Sequence, residues 1–432
     1  MSRPQHRLPA ARSLPKPGAL IAALDIGCSK VSCLIGRRDP DRPNSFVFLG
    51  GGRQQSRGFK NGVITDLEGL ERAVRLAVED AERLAGERIE RVILGVTGPK
   101  LVCNLVSANL PLSGGPVGPR DVKRVEAAAL ARGALKDHHV LTAHPVAYRI
   151  DGQDGVRDPR GMHGDSLGVL VNLVQAPNSL LLNLVECVAR AHLEVERLVP
   201  SAIATAMGTL IEDERDNGAV CLDLGAGVTM ASIFMNGVPA WLGLVPAGGE
   251  HVTADLAQGL GTTFAAAERL KTVHGQTDPD APGHAERIEC PQLGDDGRLE
   301  AVRLEKRRLS EIIAPRIEET LEYVQQLLES SQLKSVLPRR AVLTGGASQL
   351  AGVRETASRI LGMPVRLGRP VAADKLGENY ASPAFSTASG LLAYVLADLP
   401  DAMRTAGPVG LAPGGVSGGV VNKAFDWLRE NF

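Results

Sequence analysis

Two short segments, Leu24-Asp25-Ile26-Gly27 and Leu222-Asp223-Leu224-Gly225-Ala226-Gly227, share one design: an apolar strand ends in Asp and Gly, then turns into a second strand. Each reads as a β-hairpin. Residues Leu20 to Ile26 and Val31 to Ile35 flank Gly27-Cys28-Ser29-Lys30, and Ala219 to Leu224 and Val228 to Phe234 flank Gly225-Ala226-Gly227. Glycine lets backbone N–H groups crowd an anion with no Cβ in the way, while a neighbouring Asp holds a cation or water. Two such turns facing each other would clamp a nucleoside polyphosphate. Asp25 and Asp223 would then hold its Mg²⁺ through water.

Other phosphate-binding designs are excluded by the residues. The chain has no G-x-x-x-x-G-K-[ST] run after a strand, so it carries no P-loop. A dinucleotide fingerprint needs a third glycine opening a helix, whereas Gly225-Ala226-Gly227 runs into the strand-like Val228 to Phe234. A lone D-x-G is most often an ordinary tight hairpin, and the pairing of two copies carries the reading. A third segment, Ala341 to Leu350, is a strand ending in Gly345-Gly346-Ala347 and then a helix, which lets backbone approach a base or ribose. Between the second and third segments lies Pro246-Ala247-Gly248-Gly249, followed by a helix that includes Thr262 to Lys271. On it Glu268 and Lys271 share a face suited to ribose hydroxyls, although such a pair in isolation is more often a solvated ion pair.

These residues resemble the actin, Hsp70 and sugar kinase superfamily, whose two phosphate motifs and adenosine motif occur in this order. The closer resemblance is to the FtsA family of actin-like bacterial cell-division proteins. It is carried by Asp154 to Gly164, by Gly259-Leu260-Gly261-Thr262-Thr263 running into Ala267 to Lys271, and by the last dozen residues, and it covers the chain from about Ile21 to Phe432. The resemblance implies an α/β, two-domain actin-like ATPase fold with duplicated β-sheet cores. It also implies an inserted FtsA-type subdomain, ATP as ligand, self-association into filaments, and contacts with FtsZ and other division proteins.

With 44% hydrophobic and 22% charged residues in 432, the chain can bury a core large enough for two or more domains. A net charge of −1 gives no basic field for nucleic acid. Six scattered cysteines lack any C-x-x-C or His spacing for a metal and read as reduced thiols of a cytoplasmic protein. Residues 1–19, with four basic side chains among four prolines, read as a disordered extension rather than a signal peptide. No apolar run of roughly 18 residues occurs, so membrane contact would be peripheral.

Along the chain, residues 20–96 and 177–212 read as the first domain core, 213–254 and 333–397 as the second. An amphipathic helix is expected over Asp66 to Leu84 and a strand over Arg91 to Val96. Residues 97–176, with short strands and a helix near Asp121 to Leu135, read as a small α/β insertion; the resemblance makes this the family-specific subdomain used for contacts with neighbours. Residues 255–332 read as a lid, with an acidic loop over Thr277 to Gly297 and a helix over Arg308 to Leu328. Its Ile312, Ile313, Ile317, Leu321, Val324 and Leu328 form the core stripe, and Arg316, Glu318, Glu319 and Glu322 face water. By resemblance this lid receives the C-terminal peptide of FtsZ.

Residues 398–419 contain mainly small residues and read as a tether. In residues 420–432 the apolar side chains fall, at about 100° per residue, within an arc of roughly 160°. With a linker before it, this segment is expected to lie in a membrane interface through Val421, Phe425, Trp427, Leu428 and Phe432 rather than fold back. Lys423 and Arg429 are balanced by Asp426 and Glu430, so attraction to anionic lipid is weak. Five large groups gaining about 1 kcal/mol each give sub-millimolar to millimolar single-copy binding, which many copies on a polymer would amplify. The resemblance makes the expected location the cytoplasmic face of the inner membrane at the septum.

No general base stands out. Asn178 or Asn183 would orient an attacking water only weakly, and Cys28 replaces the hydroxyl usual in the first turn, so turnover is expected to be slow or absent. The rival readings are a PilM-like pilus platform, which lacks the terminal amphipathic segment, and a sugar kinase, for which no acidic base is found. An Hsp70-type chaperone would need a following β-rich domain, for which the chain leaves too little length.

Overall fold

The structure is a computed structural model that describes residue 8 and residues 14–42, 44–283, 285–294, 298–397 and 399–403. The first hairpin forms β1 (Leu20–Ile26) and β2 (Lys30–Arg38), paired antiparallel with Asp25 opposite Ser32. β3 (Phe46–Gln55) continues the meander, and β4 (Phe59–Lys60) and β5 (Val63–Ile64) make a tiny hairpin before α1 (Leu67–Ala85). Asp66 caps α1 by accepting from the Glu68 and Gly69 N–H groups, and Leu70, Val74, Ala77, Val78 and Ala81 are buried as the helical period requires. Leu84, expected on that face, is 61% exposed, because in the last turn it is Ala85 that lies against Gly50 of β3. β6 (Arg91–Val96) then joins β1 in parallel.

The chain next leaves this sheet. β7 (Val102–Pro111), α2 (Pro119–Gly133), β8 (His138–Ile150), β9 (Gln153–Val156) and β10 (Ser166–Pro177) build a separate sheet of order β7-β10-β8-β9 with its own core around Val125, Leu130, Leu167 and Leu173. α3 (Asn178–Arg190) and β11 (Glu194–Pro200) return to the first sheet and complete the order β11-β6-β1-β2-β3.

After α4 (Ser201–Thr209) and the short α5 (Glu212–Asn217), the design repeats. β12 (Ala219–Leu224), β13 (Thr229–Met235) and β14 (Val238–Val245) form the second meander. The helix expected around Thr262 to Lys271 is two helices, α6 (Gly249–Leu260) and α7 (Phe264–His274). Gly261 in the left-handed region ends the first, and the Thr263 hydroxyl, accepting from the Ala266 N–H, starts the second. The acidic loop also differs from expectation: its second half is a strand, β15 (Arg287–Leu293), paired with β16 (Leu299–Glu305). Only Ile288 and Cys290 of that strand are buried, so its apolar signal was too thin to separate from a loop.

α8 (Lys306–Glu329) spans slightly more than the expected helix despite Pro315, and buries Ile313, Ile317, Leu321, Val324 and Leu328. Arg316 does not simply face water, because Asp255 of α6 lies 2.5 Å from its Nε. β17 (Ala341–Thr344), α9 (Val353–Leu361) and β18 (Val365–Leu367) complete the second sheet, of order β14-β13-β12-β17-β18. The chain finishes its regular structure with α10 (Ser386–Leu396).

α4 and α10 tie the halves together in crossed fashion. α4 follows the last strand of the first sheet and still touches β11 and β6, but packs mainly on β12, β13 and β14, whereas α10 follows the second sheet but packs on β1, β2 and β6. They touch at glycines: a Cβ on Gly390 would lie 1.7 Å from the Ala204 carbonyl oxygen, and one on Gly208 would lie 2.8 Å from Gly390 Cα.

The inserted sheet, although continuous with the first half, also grips the second. Buried Asn172 donates to the Pro239 carbonyl at 3.0 Å, the Leu242 N–H donates to Cys103 Sγ at 3.3 Å, and Gln332 accepts from the Leu105 N–H at 2.7 Å. Residues 399–403 lie against the same subdomain and against β11 of the first sheet. His144, itself buried, is 2.7 Å from the Pro400 carbonyl, Arg197 reaches Asp401 at 3.8 Å, and Ala402 is buried in the insert's core. At the other end, Gly18 is held by hydrogen bonds to Arg37 and Arg38, so order begins before Leu20. The terminal amphipathic segment, with Val421, Phe425, Trp427, Leu428 and Phe432, lies outside the described residues.

Candidate functional site

The two hairpin turns meet. A Cβ on Gly227 would lie 2.8 Å from Cys28 Sγ and 2.9 Å from Asn61 Oδ1, so only glycine lets the second turn come this close to the first. Both hairpins therefore present Asp25 and Asp223, at the ends of β1 and β12, to one cleft, with Lys30 between them.

Electrostatics bear the closeness out. Asp25 is partly reached by water, yet enough protein surrounds it to push its carboxyl up to about 6; Lys30 pulls it down and Asp223 pushes it further up. Burial likewise raises Asp223, against the stabilising hydroxyls of Thr205 and Thr387 and the charge of Lys30. Lys30 is lowered by burial, against both carboxylates, and its ammonium sits 4.9 Å over the Phe385 ring. Burial also raises the Cys28 thiol, leaving it protonated at neutral pH.

The residues fit a hydrated cation. Gly345 has φ 90° and a Cβ there would lie 2.2 Å from Asp223 Oδ1, so only glycine lets the third segment pack directly against that oxygen. On the Asp25 side the buried Ser32 and Ser201 hydroxyls find no partner among the described residues. Asp25 and Asp223 are the groups that would hold Mg²⁺, which would neutralise phosphate charge there.

Gly248 and Gly249 serve the second turn in a way the spacing did not reveal. The Gly249 and Glu250 N–H groups donate to the Gly225 and Ala226 carbonyls at 2.9 and 2.8 Å. The N-terminus of α6 thus braces the turn instead of offering those two donors to an anion. Glu268 and Lys271 are also more embedded than a surface pair. Lys271 Nζ donates to Glu268 at 2.7 Å, to Thr253 at 2.8 Å and to the Gly249 carbonyl at 2.9 Å, which places this pair beside the glycine pair. A Cβ on Gly249 would touch Ala347, so the third segment, Gly345-Gly346-Ala347, closes on the same place. There Gly346 opens a short 3₁₀ turn to Gln349 rather than an α-helix, which starts only at Val353. Ser29, at the apex of the first turn, is exposed, and its carbonyl accepts from the Ser56 N–H. Asn178 opens α3, and Asn183 points outward from it as an exposed residue.

Sequence reasoning missed Thr205, Thr387, Asn61 and Gly62. The two threonines lie in apolar helices where a hydroxyl carries no motif. The Asn61-Gly62 turn did carry a signal, the hairpin dipeptide between β4 and β5.

Two sheets of matching meander, crossed helices between them and paired Asp-Gly turns at the cleft define an actin-like ATPase fold. Solved structures with this fold include the PilM-PilN type IV pilus biogenesis complex (TM-score 0.60, 16% identity, 91% of this chain and 100% of that one). MreB5 of Spiroplasma citri bound to ADP is similar too (TM-score 0.51, 12% identity, 87% and 95% covered). Within that class the chain belongs to the FtsA family of cell-division proteins. The family model "Cell division protein FtsA" matches residues 220–390, and "SHS2 domain inserted in FTSA" matches residues 98–175. Cell division protein FtsA of Rhizobium meliloti (strain 1021) is 40% identical, with 98% of each chain covered. Those of Pseudomonas aeruginosa (34%; 89% and 91% covered) and Escherichia coli K12 (33%; 87% and 90%) are also similar. The pilus-type relation is one of fold alone. Among the described residues, no helix is long and apolar enough to cross a membrane.

Proposed function

We propose that the chain binds Mg·ATP between its two hairpin turns and, when assembled into filaments, ties FtsZ polymers to the cytoplasmic face of the inner membrane at the division septum. The observation that carries the nucleotide half is the meeting of Cys28 and Gly227 beside Asp25, Lys30 and Asp223. In this reading Gly27, Cys28, Ser29, Lys30, Gly225, Ala226 and Gly227 surround the phosphates, with Asp25 and Asp223 on the cation. Glu268 and Lys271 take the ribose, and Gly345, Gly346 and Ala347 lie against the base. Gly248 and Gly249 support the second turn.

The division of labour follows the chain. Residues 20–96 with 177–212, and 213–254 with 333–397, are the two halves of the clamp. Residues 97–176 are the insert that meets neighbouring subunits and other division proteins, and 255–332 are the lid that takes the FtsZ C-terminal peptide. Residues 404–419 are the tether, since 399–403 are seated on the insert, and 420–432 are the lipid anchor. In this reading Asp25 and Asp223 are committed to the cation, and the amides of Asn178 and Asn183 cannot accept a proton from water, so the nucleotide acts as an assembly switch with slow turnover.

Liposome co-sedimentation tests this with the full chain and residues 1–418, each with and without Mg·ATP and purified FtsZ. The full chain should pellet with vesicles and bring FtsZ down, more so with Mg·ATP, while the truncated chain stays in the supernatant. If both forms pellet equally, or neither does, the anchor reading falls.

A further inference from the structure

We infer that Thr205 and Thr387 are positioning residues for the cation end of the nucleotide site, and that they make the aim of Asp223 depend on the crossing of α4 and α10. The inference rests on the Mg·ATP reading above. Both hydroxyls donate to one carboxylate oxygen, Asp223 Oδ2, at 2.9 and 3.1 Å, and the two hydroxyl oxygens are 2.8 Å apart. All three residues are buried. With two donors on Oδ2, rotation of the carboxylate is restrained. Its other oxygen, Oδ1, accepts from no side chain among the described residues and lies against Gly345, where the lack of a Cβ lets it sit. The hydroxyls thus decide which oxygen is offered to a cation.

Their origin gives the arrangement its second property. Thr205 lies in the middle of α4, which rests on the second sheet, and Thr387 in the first turn of α10, which rests on the first. One oxygen of Asp223 is therefore pinned by both connecting helices. A change in their crossing would move one threonine relative to the other and tilt the carboxylate. A second hydroxyl contact joins the same region, since Thr344 of β17 and Ser386 of α10 lie 2.7 Å apart.

The test is nucleotide affinity of the full chain, by equilibrium fluorescence with a labelled ATP, in excess Mg²⁺ and in excess EDTA. Thr205→Val and Thr387→Val keep the side-chain shape and remove the hydroxyl. Each should weaken binding in Mg²⁺ about tenfold, as expected for one hydrogen bond to a charged group, and leave binding in EDTA unchanged. Thr205→Ser and Thr387→Ser keep the hydroxyl and should restore wild-type values. The double Val variant should lose less than the product of the single losses, because both bonds act on one oxygen. Val variants that bind Mg·ATP like the wild type, or that weaken equally in Mg²⁺ and EDTA, would overturn the inference. So would Ser variants as impaired as Val, which also decides the matter if a Val variant does not fold. A wild-type chain that binds no nucleotide in either buffer would instead overturn the nucleotide reading itself.

Discussion

At the scale of single residues, the cleft holds charges that the fold pays for. Asp25 titrates near 6 in the folded protein and near 3.8 when free, so the folded state binds more protons than the unfolded one between those values. Stability contributed by the protonated carboxyl is complete below about pH 4 and is lost as pH rises through 6. Asp25→Asn stays neutral throughout. Relative to wild type it should gain on the order of 2 kcal/mol between pH 4 and pH 7, read from parallel urea titrations. A constant difference across that range would show that Asp25 ionises normally. The sequence revealed this residue through its Asp-x-Gly context but gave no sign of Thr205 or Thr387. A threonine in an apolar helix looks the same whether its hydroxyl bonds back to its own helix or to a carboxylate from another element.

At the scale of elements, legibility followed the strength of periodicity. The two meanders, α1 and α8 each present a long apolar pattern, and their spans lie within a few residues of the sequence reading. The break between α6 and α7 and the β15–β16 hairpin were hidden, because Gly261-Thr262-Thr263 is short and half-exposed strands have few apolar residues. Nor could one sequence tell that α4 and α10 exchange sheets, since that depends on which surface each helix meets. Their contact is nevertheless testable. Gly390→Ala places a methyl 1.7 Å from the Ala204 carbonyl oxygen, a backbone atom that cannot step aside without moving α4. We expect a loss of at least about 2 kcal/mol in urea unfolding, with a parallel fall in nucleotide affinity. A near-neutral substitution would mean that the helices cross less tightly than described.

At the scale of the whole molecule, the inserted sheet spans both halves, covalently part of one and hydrogen-bonded to the other. Asn172→Leu leaves the Pro239 carbonyl unpaired in a buried place and should cost about 1–3 kcal/mol. Hydrogen exchange should accelerate in β14 and β7 together, as both line that contact; faster exchange in β7 alone would show that the insert is held to its own half only. The last described residues add a mechanical consequence. Leu399 to Met403 are seated on His144 and Arg197 at one end of α10, and Thr387 at its other end holds Asp223. α10 is only 11 residues long. A pull on Leu399 to Met403 would therefore be shared between the insert, through His144 and Ala402, and α10, through Tyr394 beside His144, and the far end of α10 carries the Thr387 bond to Asp223.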